Sequence, residues 1–259
     1  MRRRGRRRTL PAAWLLLAAS ARAESDLALP YPDPLGTFRG VIHDAGGRAI
    51  GENVVQNLLR ESGRVYLRSE ASVEGEPGNL LEAELEPIPG RDQMLRPVWQ
   101  RTRMLATDGA EFLDLHVDHG AQRATCARKG EPPREIALGE GERIANVAMN
   151  LALKPLAAGA LDAVHFQMVL CEGWKEIVDV EARAEGARDG GPVEMRLRFD
   201  VGGRVVSALF APFLPDIRIW MRPQAPNEWL AHRLPLYPRG PTIEIVREGV
   251  DPAPYLPPR

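Results

Sequence analysis

From about residue 65 onward, apolar and polar side chains alternate strictly in one short segment after another. A period of two commits such segments to β-strands with one buried and one wet face. In Val65–Val73, residues Val65, Leu67, Ala71 and Val73 point one way, while Tyr66, Arg68 and Glu70 point the other. Leu81, Ala83 and Leu85 alternate with Glu82, Glu84 and Glu86, and Leu113, Leu115 and Val117 alternate with Asp114, His116 and Asp118. The same pattern sets Val193, Met195, Leu197 and Phe199 against Glu194, Arg196, Arg198 and Asp200. Shorter segments of this kind lie at 98–105, 164–171, 177–182, 217–221 and 242–247. Parallel strands covered on both faces would read as continuous apolar runs, so the alternation predicts an antiparallel sheet. Turn-forming residues fall between the segments, at 74–78, 87–92, Asp108-Gly109, Asp118-His119-Gly120, 188–192 and Gly202-Gly203.

One stretch breaks the pattern. Ile144, Val147, Ala148 and Leu151 recur at helical spacing, with Pro155 and Gly159 just beyond, which predicts a single amphipathic helix over about 142–154 packed on the sheet. Residues 50–60 fit a helical stripe through Ile50, Val54, Val55, Leu58 and Leu59. The β-branched valines and Asn53 and Asn57 weigh towards a strand. The proline-rich segments 24–35 and 251–259 are expected to be extended arms flanking a single β-rich domain over 36–250.

The N-terminus has the form of an export signal. Six arginines occupy positions 2–8, an apolar run follows from Leu10 to Ala19, and Ala21-Arg22-Ala23 offers small residues before a cleavage point at Glu24. The apolar run is shorter than the ~20 residues needed to span a bilayer. Arg6-Arg7-Arg8-Thr9-Leu10 leaves both the general and the twin-arginine export route open. Removing residues 1–23 takes away seven of the 34 basic residues and none of the 35 acidic ones, leaving a formal charge of −8. That sign disfavours nucleic acid and anionic lipid surfaces as partners. The expected location is therefore the periplasm or another exported site, with no transmembrane span in the mature chain. Cys126 and Cys171 are the only cysteines. In an oxidising compartment they are expected to pair, with two buried free thiols as the alternative.

The order of several features resembles a known family. Gly47 to Gly51 leads into an alternating segment, Leu95-Arg96-Pro97 precedes the next strand, a helix ends near Pro155 with Gly159 after it, and Ile217-Arg218-Ile219-Trp220 forms a late strand. Over roughly residues 36–247 this is similar to an exported bacterial family of unknown function, whose curved antiparallel sheets are distantly like the lipoprotein carriers LolA and LolB. The chain departs from that pattern at Met221-Arg222-Pro223, where a small polar turn is expected. The family brings no catalytic residues with it.

The best metal-like cluster is Asp114, His116 and Asp118 on one strand face, followed by His119 in the turn. Same-face neighbours on one strand rarely converge to metal-bond distances without ligands from elsewhere, so the plainer expectation is a solvated face. No Gly-x-Ser-x-Gly elbow is present, and Gly139-Glu140-Gly141 lacks the third glycine of a dinucleotide fingerprint. Trp174, Trp220 and Trp229 fall late in the chain, and 209–215 is an apolar stretch with two prolines. If Trp220 faces away from Ile217, Ile219 and Met221, one side of its strand packs the core and the other lines a cleft, unless both sides are simply covered.

These observations predict a mostly β fold, a curved antiparallel sheet or half-barrel with one short amphipathic helix across its concave side. The leading functional expectation is non-enzymatic. An exported cell-envelope protein would hold an apolar or lipid-like ligand, or a partner's apolar segment, against Phe166, Met168, Phe210, Phe213, Trp220 and Met221, with no cofactor. The alternatives are a metal-dependent enzyme built on Asp114, His116, Asp118 and His119, or a purely structural envelope protein.

Overall fold

The computed structural model describes residues 27–32, 34–171, 175–186, 191–200, 202, 215–237 and 240–256. The expected signal peptide, Trp174, and Phe210 and Phe213 of the apolar stretch lie outside them. A short N-terminal strand, β1 (Leu29–Pro30), is followed by a meander of β2 (Gly36–His43), β3 (Ala49–Leu59), β4 (Val65–Val73), β5 (Gly78–Pro87), β6 (Met94–Leu105), β7 (Glu111–Asp118), β8 (Arg123–Arg128) and β9 (Arg134–Ala137). The helix α1 (Met149–Ala157) then leads to a second meander of β10 (Ala163–Val169), β11 (Ile177–Ala184), β12 (Val193–Asp200), β13 (Ile217–Met221), β14 (Trp229–Pro235) and β15 (Thr242–Arg247). The two meanders join through β15 and β2, so one curved sheet runs in the order β10 to β15 and then β2 to β9. Each of its strand pairs is antiparallel, and β1 adds to the edge of β6.

Alternation places the side chains as the sequence implies. Val65, Ala83 and Leu85 are sealed inside, while their outward neighbours form a charged lattice. In that lattice Arg64 bridges Glu84 and Glu86, and Glu82 accepts from both Tyr66 and Arg103. Residues 50–60 form β3, a strand. The first arm docks rather than trailing, because Leu27 and Leu29 enter the core and Tyr31 donates its N–H to Gln93 O at 3.0 Å. The C-terminal segment is not extended. Residues 252–256 turn back, with Tyr255 and Leu256 both donating to Pro252 O, and the buried Tyr255 packs on the outer face.

The sheet's two end regions are tied together. Cys126 on β8 is bonded to Cys171, just beyond β10, with Cα atoms 5.5 Å apart, a pairing compatible with an exported protein. Arg134 on β9 reaches Glu176 at 2.7 Å and Cys171 O at 3.2 Å. Residues 143–146 lie alongside β10 and cover its free edge. Gln167 N donates to Arg143 O, Ala145 N donates to Gln167 O, and the Asn146 amide pairs with both N and O of Val169.

The helix starts later than its stripe predicts, and one residue accounts for this. Gln100 faces inward from β6 and is fully buried. Its Nε2 donates to Ile144 O at 2.8 Å, and its Oε1 accepts from Val147 N at 2.8 Å and Ala148 N at 3.2 Å. Those groups would otherwise belong to a helical ladder, so Ile144 and Ala145 stay extended against β10 and α1 begins at Met149. Pro155 lies inside α1 rather than after it. The helix stops short of Gly159, whose φ of +69° suits a residue without Cβ and whose N–H donates to Leu156 O. Leu151, Leu153 and Leu156 are buried by α1, each contributing roughly 2 kcal/mol. Among the described residues no helix is long and apolar enough to cross a membrane.

The second Nε2 hydrogen of Gln100 meets His119 Nε2 at 2.9 Å. With the other amide hydrogen given to Ile144 O, His119 Nε2 is the acceptor, so this imidazole is neutral and carries its proton on Nδ1. Burial pushes its pKa down to about 4. Replacing Gln100 with Leu strands the N–H groups of Val147 and Ala148 and the Ile144 carbonyl in the interior, and is expected to cost about 4 kcal/mol in urea unfolding. Reduction of Cys126–Cys171, which closes a loop of 45 residues, is expected to lower stability by about 4 kcal/mol in the same assay. The folded-state pKa of His119 lies below its unfolded value. The stability that its neutral form contributes is therefore complete above about pH 6.5 and is lost as pH falls towards 4, at roughly 3 kcal/mol over that window. Urea midpoints should decline between pH 7 and pH 5, and the decline should be shallower in His119→Gln.

Candidate functional site

The concave face is unevenly filled. Helix α1 packs mainly on β10, β11, β12 and β1, and the stretch leading into it together with its first turns reaches over β2–β5 and β13–β15. Beneath residues 146–151 and Lys154 this leaves a cavity of about 160 Å³. One wall is large and apolar: Ile217, Ile219 and Met221 from β13, and Ile243 and Ile245 from β15. The opposite wall mixes Leu67 and Leu81 with smaller inward side chains, Val55 and Asn53 from β3 and Ser69 and Ala71 from β4. Strand register brings three polar side chains into line across this floor, since Arg247, Gly40, Asn53, Ala71 and Asn79 stand side by side on β15, β2, β3, β4 and β5, with Gly40 and Ala71 between the polar ones.

The row's members are held in place. Asn53, 4% exposed, donates through Nδ2 to Ser69 Oγ at 3.0 Å and to Glu70 O at 3.1 Å. Gly40 lets the Trp229 indole approach the sheet, because a Cβ there would stand 3.1 Å from the ring and 2.9 Å from Ile245. The Arg247 guanidinium lies 4.6 Å above the Phe38 ring and pairs with Glu228 at 2.9 Å, so the charge at this end of the cavity is already matched. His232 stacks on Trp229 with ring centroids 5.0 Å apart. Its pKa is pushed down to about 4 by burial, so the ring is neutral near pH 7. His232 Nε2 and Asn150 Oδ1 both belong to cavity-lining residues, are shut off from solvent, and have no hydrogen-bond partner among the described residues.

The residues expected from sequence to form the pocket are scattered. Met221, 1% exposed, forms part of the wall. Trp220 does not. The β13 pleat turns it to the outer face, where it meets Tyr255 edge-on at 5.6 Å beside Leu230, Ala231 and Val246. Both faces of this strand are covered, the outer one by the C-terminal turn. Phe166 is buried in the main core, and Met168 is partly buried against it, so neither belongs to the cavity.

Asp114, His116, Asp118 and His119 are not brought together as a ligand set. Asp114 is held at both oxygens by Arg101, at 2.8 Å each, and Asp118 Oδ1 accepts from Ala121 N. His116 lies edge-on to Trp99 on the outer face, while His119 turns inward to Gln100. Among the described residues no three His, Cys, Asp or Glu side chains are grouped so as to hold a metal ion. Sequence reasoning passed over Asn53, Asn150 and His232. The signal for Asn53 and His232 is a polar side chain at an inward step of a strand, and for Asn150 a polar residue on the covered side of a helix's first turn.

No family model matches the chain, and no curated protein does. Among solved structures it is similar to a beta-barrel-like protein of the domain of unknown function DUF1849 from Brucella abortus, at 9% sequence identity and a TM-score of 0.44, over 82% of this chain and 96% of that one. The curved antiparallel sheet that the family resemblance implies is present in the structure, whereas the relation to LolA and LolB gains no support from these comparisons.

Proposed function

We propose that this is an exported cell-envelope protein, with residues 1–23 a cleaved signal peptide, that binds the apolar part of a ligand in the concave cavity without performing chemistry on it. The observation that carries this reading is the cavity itself, an apolar-walled space beneath residues 146–151 and Lys154 with some polar residues in its lining. Its size limits what enters. An apolar cavity of about 150 Å³ admits benzene, and whole drug-sized ligands occupy roughly 300–1,000 Å³. At about 160 Å³ it takes a ring or the end of a chain, and the remainder of a lipid-like ligand or partner segment stays outside it. The acidic mature chain and the disulfide fit an envelope location and weigh against nucleic acid.

Native mass spectrometry of the protein purified after export without harsh detergent tests this, together with titration of a hydrophobic fluorescent probe. Wild-type protein should carry an added mass or bind the probe. Val55→Trp, which places an indole in the cavity, should lose that binding by at least tenfold while melting within a few degrees of wild type. Wild-type protein that binds nothing, or Val55→Trp that binds as well as wild type, overturns the reading.

A further inference from the structure

We infer that residues 250–256 form a pH-sensitive cover on the outer face of β13–β15, seated while Glu244 carries a proton and loosened as that carboxyl ionises. Under this turn Leu230, Ala231, Val246 and Tyr255 make a small buried cluster, with Trp220 and Val250 packed against it. Side chains hold the turn down. Tyr255 meets Trp220 edge-on at 5.6 Å, and Leu256 reaches the β2–β3 turn, where its Cδ1 would stand 3.4 Å from a Cβ added at Gly47. The hydrogen bonds of the turn stay within it, from Ala253 N to Asp251 Oδ1 and from Tyr255 N and Leu256 N to Pro252 O. Among the described residues none joins residues 251–256 to the sheet, so the turn can lift without breaking a strand ladder.

Glu244 stands between these two anchors. It shares the outer face of β15 with Val246, one pleat step away, and pairs in register with His43 on β2 and Arg233 on β14. Only 1% of it is exposed, and neither carboxyl oxygen has a hydrogen-bond partner among the described residues. Arg233 Nε comes to 3.4 Å from Oε1. The other charged or titratable groups around it are the buried His43, Asp44 with its partner Arg48, Arg218 beside Arg233 on β13, and Asp251 and Tyr255 on the turn itself. Enclosing a carboxylate without a hydrogen-bond donor costs far more than enclosing the neutral acid. Burial pushes the Glu244 carboxyl above its ordinary value near 4.5, against the pull of Arg233 and with a smaller push from Asp44. The stability this carboxyl gives the seated turn is therefore complete below that ordinary value and is lost as pH rises through the raised one. His119 acts with the opposite sign, so the two effects are separable.

Native-state hydrogen exchange of the purified full chain tests this, read by NMR at the Tyr255 and Leu256 amides and corrected for the intrinsic pH dependence of exchange. Protection should fall by at least about threefold between pH 5 and pH 7.5. It should stay level in Glu244→Gln and Glu244→Leu, which keep the bulk without a titrating group, while His43→Gln should keep the fall. Tyr255→Ala, without the aromatic anchor, should show little protection at either pH. Wild-type protection that is level or rises with pH, a fall that persists in both Glu244 variants or disappears in His43→Gln, or full protection in Tyr255→Ala overturns the inference.

Discussion

A single primary amide at the centre of the concave face governs where the helix can lie. Gln100 has two hydrogens and two lone pairs, and the structure assigns all four, to Ile144 O, His119 Nε2, Val147 N and Ala148 N. Such a group is costly to bury unless it is fully matched, and once matched it tolerates little displacement. It therefore fixes residues 144–148 against β6, and those residues in turn cover the open edge of β10 and deliver α1 onto β10–β12. His119 enters the same arrangement as a neutral acceptor. One inward glutamine thus links a turn histidine, the closure of the sheet and the start of the helix.

That dependence also explains how an open sheet is kept from offering its ends to other chains. β10 would present unpaired backbone groups, and β9 is only four residues long. The strip 143–146 occupies the first edge. The second bears Arg134 and Glu135, and Arg134 is drawn across to Glu176. The Cys126–Cys171 bond then fixes the spacing of the two regions. Meeting in this way requires the sheet to curl, and the curl produces the concavity.

Much of this was legible in the residues. Strands with one wet face announced themselves, as in β4, β5, β7 and β12, because Glu, Arg and Asp at alternate steps had nowhere to go but outward. The segments at 217–221 and 242–247 have the observed bounds of β13 and β15. β14 was silent because Trp229, Leu230 and Ala231 are all buried, the first towards the main core and the other two beneath the C-terminal turn, so no alternation survives. β3 was ambiguous for the opposite reason, since its inward residues include Asn53 and Asn57 beside the cavity. The helix was placed several residues too early because periodicity records which side chains face the sheet, and Ile144 faces it from an extended strip as well as it would from a helix. Trp220 misled for a related reason. A large aromatic opposite an apolar face suggests a cleft, and only the fold of residues 252–256, nearly two dozen residues after β13 and β14 have turned, shows what covers it. The cavity's polar members had no motif, because His232, Asn150 and Asn53 come from three distant parts of the chain.

The cavity follows from a mismatch of lengths rather than from any single residue. A nine-residue helix is about 13 Å long, and strands lie about 4.8 Å apart, so α1 can shield at most about three strands. It spends that reach on β10–β12, where Val164, Phe166, Val180, Met195 and Leu197 meet its leucines. The concave face over β2–β5 and β13–β15 needs other cover. On the β13–β15 side, large apolar side chains fill much of the depth. On the β3–β4 side, Asn53, Val55, Ser69 and Ala71 do not. A core under selection for packing alone would gain by larger apolar residues at Val55 and Ala71 and by an apolar replacement for His232, since an enclosed unpaired nitrogen costs stability. Small and polar residues on the β3–β4 side, with the polar His232 from β14 across from them, are the pattern expected where the space itself is used.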